Sequence, residues 1–133
     1  MKKIFIFLCL SYMTSSVFAN SIILDNKTNY PQKNKFGKIA VQWVSSVKEV
    51  QKANQSMLND ATLNANSLMI LAKKGKIKLI SPNNARYFRV IAWSNDKEKP
   101  DLLTNWVDII PNKTYVVNQN QLVPRILMSG AGC

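Results

Sequence analysis

Short apolar runs rich in branched and aromatic residues recur along this chain, and asparagine, proline or glycine follows most of them before they reach helical length. That rhythm constrains the fold more than any other feature. Strands end at such turn residues, and several strands at short spacing close into a sandwich or a compact barrel. Residues 21–25 (SIILD) read as the first strand, and residues 26–35 (NKTNYPQKNK) as a polar loop. In residues 36–44 (FGKIAVQWV), Ile39, Val41 and Trp43 alternate with Ala40, Gln42 and Val44, which assigns the first three to a buried face.

A different period follows. Ser46 and Glu49 have the spacing of a capping box, in which the Ser46 hydroxyl accepts the Glu49 amide and the Glu49 carboxylate returns to the Ser46 amide. Val47, Val50, Asn54, Met57, Leu58 and Ala61 recur near helical spacing, with Asn54 interrupting the apolar stripe. This predicts a helix of two or three turns, or else an irregular crossover between two sheets. Residues 59–67 and 94–100 read as loops.

Strand-like segments then resume at 67–72 (SLMILA), 76–80 (KIKLI), 85–93 (ARYFRVIAW), 105–110 (NWVDII) and 114–117 (TYVV). Gly75 suits a turn joining the first two of these, because glycine admits positive φ. Pro111, Asn112 and Lys113 suit a turn that makes the last two a hairpin. In 85–93 Phe88, Val90 and Ala92 share one face, while Tyr87, Arg89, Ile91 and Trp93 share the other. Neither face is polar, so this strand is expected at the centre of a sheet. Val116 joins Trp43 and Val90 as an expected core residue. Pro124, inside the last apolar run, predicts an edge position or a bulge. The fold class expected is all-β: a single-domain β-sandwich of about seven or eight strands with one short helix or crossover. An immunoglobulin-like topology fits the strand count, although the cysteine pair of antibody domains is absent.

The chain begins as exported chains do. Lys2 and Lys3 precede a seven-residue apolar run, IFIFLCL, and a more polar stretch ends in Val17-Phe18-Ala19. Residues 1–19 are therefore expected to be a signal peptide cleaved before Asn20, with 20–133 the working domain. The apolar run is too short to cross a bilayer, which takes about 20 residues, so no transmembrane segment is expected in the mature chain. Cys9 lies inside that run behind Leu8 and is read as lost with it, not as a lipid-bearing cysteine. The expected location is the periplasm or the extracellular space. Only Cys133 then remains, so no internal disulfide is available, and an intermolecular disulfide through Cys133 is one use for it.

Removing Lys2 and Lys3 from the eighteen basic residues leaves sixteen against seven acidic ones, a formal charge of +9. Such an excess favours a protein partner with acidic character or an acidic surface of anionic lipid or glycan. Nucleic acid is disfavoured by the extracytoplasmic location. The densest cluster is Lys73, Lys74, Lys76 and Lys78, with Arg89 on a following strand able to extend it. These five are the candidate binding residues.

Histidine is absent, which removes serine–histidine triads, histidine bases and the usual zinc sites. No glycine-rich phosphate loop or calcium-loop spacing occurs, so no cofactor and no metal residues are assigned. Paired carboxylates could still serve a hydrolase; the candidates are Asp25, Glu49, Asp60, Asp96, Glu98, Asp101 and Asp108, and Asp108 beside Trp106 would suit a sugar. The expected function is a small exported basic binding module without catalysis. A secreted host-directed effector or toxin acting at membranes, and a small carboxylate-dependent hydrolase, stand as alternatives. A free edge strand beside a groove would favour the first reading, an exposed apolar patch beside the lysine turn the second, and two close acids in a pocket the third.

Overall fold

A computed structural model describes residues 20–33, 37–59, 68–94 and 99–128. The expected signal peptide, Asp60, Asp96, Glu98 and Cys133 lie outside them. In chain order the elements are β1 (Ser21–Lys27), β2 (Lys38–Val44), α1 (Val47–Leu58), β3 (Leu68–Ile70), β4 (Gly75–Ile80), β5 (Tyr87–Trp93), β6 (Leu102–Leu103), β7 (Val107–Asp108), β8 (Thr114–Asn118) and β9 (Val123–Pro124). They form two sheets. The smaller has the order β4-β1-β8, and the larger the order β3-β2-β5-β6-β9 with β7 also paired to β5.

The sheets pack face to face as an all-β sandwich. Ile22 and Leu24 of β1, Leu79 of β4, and Tyr115 and Val117 of β8 meet Ile39, Val41 and Trp43 of β2 and Phe88, Val90 and Ala92 of β5. Each fully buried aliphatic side chain here contributes about 1.5–3 kcal/mol. The Phe88 ring anchors the middle, edge-on to Tyr115 at 4.9 Å and tilted against Trp43 at 5.8 Å. The period-2 alternation in β2 and β5 thus marks the inner face as expected, and Pro124 does lie on an edge strand.

The far face of the large sheet is also covered. Met57 of α1 packs with Ala40, Ile91, Trp93 and Leu103. This is why neither face of β5 is polar: one faces the other sheet and one faces the helix. The helix begins as the sequence indicates, with Ser46 Oγ accepting from the Glu49 amide at 3.1 Å. The Glu49 carboxylate, however, returns to the Ser45 amide at 2.8 Å, not to that of Ser46. At twelve residues the helix runs just over three turns. It links β2 and β3, which are neighbours in one sheet, so it is not a crossover between sheets.

Three expectations are corrected by the pairing. β3 and β4 do not form a hairpin: β3 pairs with β2, while β4 pairs with β1 in the other sheet. Gly75 does have the positive φ foreseen, at 86°, but the bend passes the chain from one sheet to the other. Likewise β7 pairs with β5, whereas β8 lies parallel to β1, so Pro111–Lys113 is no hairpin turn either. The first strand therefore joins the fourth and eighth. An immunoglobulin sandwich instead pairs its first strand with its second, so that topology does not hold. Val116 is not a core residue: it is 44% exposed, while its neighbours Tyr115 and Val117 point inward. The Tyr115 hydroxyl sets this phase. It donates to the Asp108 carbonyl at 2.5 Å and accepts from the Ile110 amide at 2.8 Å.

Candidate functional site: a lysine-lined edge and cleft

The lysine cluster begins where the chain leaves the large sheet and enters the small one. Lys73 and Lys74 precede β4, and Lys76 and Lys78 lie within it. Ile77 and Leu79 pack toward the core, so the alternation sends Lys76, Lys78 and Ile80 to the outer surface of the small sheet. All four lysines are exposed. None makes an ion pair with a described residue; the salt bridge recorded among those residues joins Lys27 and Asp25 at 4.0 Å. Asp25 lies opposite Lys76 in register, but its carboxylate is beside Lys27.

A fifth lysine joins them. Asn29, Pro31, Gln32 and Lys33 from the loop after β1 face Ala72, Lys73 and Lys74 across an open cleft of about 840 Å3. Asn26 holds the two walls together. Its Oδ1 accepts from the Thr28 amide at 3.1 Å and hydroxyl at 2.7 Å, and its Nδ2 donates to the carbonyls of Tyr30 at 2.9 Å and Lys73 at 3.4 Å. Asn26 is 2% exposed, with Thr28 and Tyr30 also buried, so this asparagine serves as a loop brace. Lys33 sat in a segment read only as a polar loop. The usable signal was the Asn26-Lys27-Thr28 turn, whose buried hydrogen bonds fold that loop back onto Lys73.

Arg89 does not extend this surface. Its side chain is 1% exposed and lies on the helix side of the large sheet. Nε donates to Gln42 Oε1 at 2.8 Å, Nη1 to Asn54 Oδ1 at 2.9 Å and Nη2 to the Ala53 carbonyl at 3.5 Å. The guanidinium stacks 4.3 Å from the centre of the Trp106 ring, and Trp106 Nε1 shares Asn54 Oδ1 at 3.0 Å. Burial pulls its pKa down to about 10, so it stays charged at neutral pH. Arg89 fastens α1 to the sheet and offers no exposed group to the lysine surface, so it is not one of the binding residues there.

The described carboxylates have separate tasks. Glu49 caps α1, and Asp101 accepts from the amide and hydroxyl of Ser94. Asp108 is exposed on β7, and Trp106 is committed to Arg89 and Asn54, not to a sugar face with Asp108. A second cleft, of about 450 Å3, opens between the sheets and is lined chiefly by Phe88, Val90, Val107, Tyr115 and Val117. Among the described residues it brings no charged side chain into contact. No described helix is long and apolar enough to cross a membrane.

No family model matches the chain, and no curated protein matches it. Among solved structures it is similar to Serratia marcescens Lip, a membrane bound component of the Type VI Secretion System, at 23% identity and a TM-score of 0.39, covering 80% of this chain and 96% of that one. A likeness of that degree does not bear on function.

Proposed function

We propose that the protein is an exported, non-catalytic binding module that holds an acidic protein partner at its lysine-lined edge. The observation that carries this reading is the convergence of Lys33, Lys73 and Lys74 on one cleft, continued by Lys76 and Lys78 along a sheet edge, with no described carboxylate paired to any of them. Five cations left unneutralised on a braced surface cost self-repulsion, which an acidic partner relieves. Ile80, 62% exposed on the same face, supplies an apolar contact beside the charges. The export signal expected at residues 1–19 and the net positive charge expected for the mature chain fit a partner outside the cytoplasm.

The test is a variant with Lys73, Lys74, Lys76 and Lys78 all changed to serine. Exposed charges add little to stability, so its unfolding midpoint stays near that of the wild type. Titration with polyglutamate is then compared at low and physiological salt. The wild type binds, most strongly at low salt where the Debye length is longest, and the variant loses that binding. Equal binding by a folded variant overturns the reading. Wild-type binding to phosphatidylglycerol vesicles but not to polyglutamate overturns it in favour of a membrane-directed protein.

A further inference from the structure

We propose that the free edge of β4 accepts an extended acidic segment of another protein as a fourth strand of the small sheet. This rests on the binding reading above and specifies its mode. β4 ends the order β4-β1-β8, and no described strand pairs with its outer side. The phase of its hydrogen bonds follows from the register. The Ser81 amide donates to the Asn20 carbonyl at 2.8 Å, and the pairing continues antiparallel through Leu79 with Ile22, Ile77 with Leu24 and Gly75 with Asn26. In an antiparallel ladder such pairs alternate with pairs whose backbone groups point away. The amides and carbonyls of Lys76, Lys78 and Ile80 therefore face outward, along the unpaired edge.

The same three residues carry the exposed side chains. An incoming strand would find backbone partners at Lys76, Lys78 and Ile80, and next to them two ammonium groups and one apolar side chain on a single sheet face. Strand residues two apart stand about 6.7 Å from each other. A segment with acidic residues at alternate positions matches Lys76 and Lys78, and further acidic residues beyond them reach Lys73, Lys74 and the cleft of Lys33. This is strand addition to a sheet edge, in which main-chain bonds give affinity and alternate side chains give specificity.

Charge also selects the occupant. Edge lysines guard against pairing with an identical edge. Setting β4 against β4 of a second copy would oppose lysine to lysine, which is unfavourable for directly opposed side chains. The guard against self-pairing becomes attraction when the incoming strand is acidic. The other edge of the small sheet, β8, reads TYVVN and has no charged side chain to make that choice.

The experiment titrates the protein with an eight-residue peptide alternating glutamate and valine, with the same peptide N-methylated at alternate amides, and with polyglutamate. Amide hydrogen exchange is followed by NMR. The alternating peptide is expected to bind and to slow exchange at Lys76, Lys78 and Ile80, and the methylated peptide to bind at least tenfold more weakly. K78P, which removes one outward amide at an edge site where proline is tolerated, is expected to bind more weakly than K78S. Equal binding of the two peptides, or unchanged exchange at those amides, overturns strand addition while leaving an acidic partner in place. Failure of the protein to bind either peptide or polyglutamate at low salt overturns the binding reading as well.

Discussion

Replacing Arg89 with alanine should destabilise the protein by about 2–5 kcal/mol. The side chain is a buried cation held by neutral oxygens, with two good hydrogen bonds, to Gln42 at 2.8 Å and Asn54 at 2.9 Å. Hydrogen bonds to charged groups contribute about 1.5–3 kcal/mol each. The stack on Trp106 at 4.3 Å adds about 1–2 kcal/mol. Against this stands the desolvation that lowers the group from 12.5 to about 10, worth about 3 kcal/mol at 1.36 kcal/mol per pKa step. The truncated variant recovers that penalty, yet it also leaves the Gln42 amide, 3% exposed, without its partner, and it opens a void beneath α1. Urea unfolding followed by circular dichroism and tryptophan fluorescence reads the result. With a slope of about 1.5 kcal/mol per molar, the midpoint falls by about 1–3 M. Arg89→Lys should recover only part of the loss, because an ammonium lacks the planar fork and the stack. A midpoint unchanged in R89A, or fully restored in R89K, would refute the view that this cation fastens the helix to the sheet.

Three further outcomes are expected. Val90→Ala should cost about 1–3 kcal/mol in chemical denaturation, since Val90 is buried between the sheets and the site cannot fully collapse; an unchanged curve would contradict its inward face. Tyr115→Phe should cost about 1–2 kcal/mol by the same measurement, because it strips one partner each from the Asp108 carbonyl and the Ile110 amide. The Ser45 amide holds the Glu49 carboxyl below its ordinary 4.5, so its support of the helix is present above that pH and fades as pH falls through the lowered native value. The gap in unfolding midpoint between wild type and Glu49→Gln should therefore be steady from about pH 7 to 5 and close in stronger acid; a gap that widens on acidification would reverse the assigned sign.

Local patterns reported local facts well. The alternation in Ile39, Val41 and Trp43, and in Phe88, Val90 and Ala92, identified the inner faces, because successive side chains of a strand point to opposite faces of the sheet. Gly75 and Asn112 were correctly placed in bends that need positive φ. What those bends connect was not legible. A turn residue specifies a backbone angle, whereas partner choice depends on strands 55 and 91 positions away, as for Ile23 against Lys78 and Thr114. Val116 failed for a related reason. Tyr115, Val116 and Val117 are all apolar, so period 2 leaves the phase open until the Tyr115 hydroxyl finds Asp108. Arg89 was grouped with Ile91 and Trp93 rightly, but that face looked open because a covering helix is not visible in strand periodicity. Asn54, the polar break in the helical stripe, was the trace of it: the break is where the helix meets Arg89. At the lysine edge the charges were legible in the sequence. The contribution of Lys33 was not, since it depends on the Asn26 brace.

The parallel pairing of β1 with β8 has a consequence for the order of folding. β1 has no strand partner until Gly75–Ile80 and Thr114–Asn118 exist, so the small sheet is closed by contacts of high sequence separation. Contacts of this kind slow folding, because the loop must be closed before any pairing rewards it. At a synthesis rate of about 5–20 residues per second, β8 emerges about 4–20 s after β1. Over that interval the β1 edge that β8 fills stays unpaired even after β4 has joined its other side, and a chain whose small sheet is still open in this way can be threaded through a membrane before its last strand locks it shut.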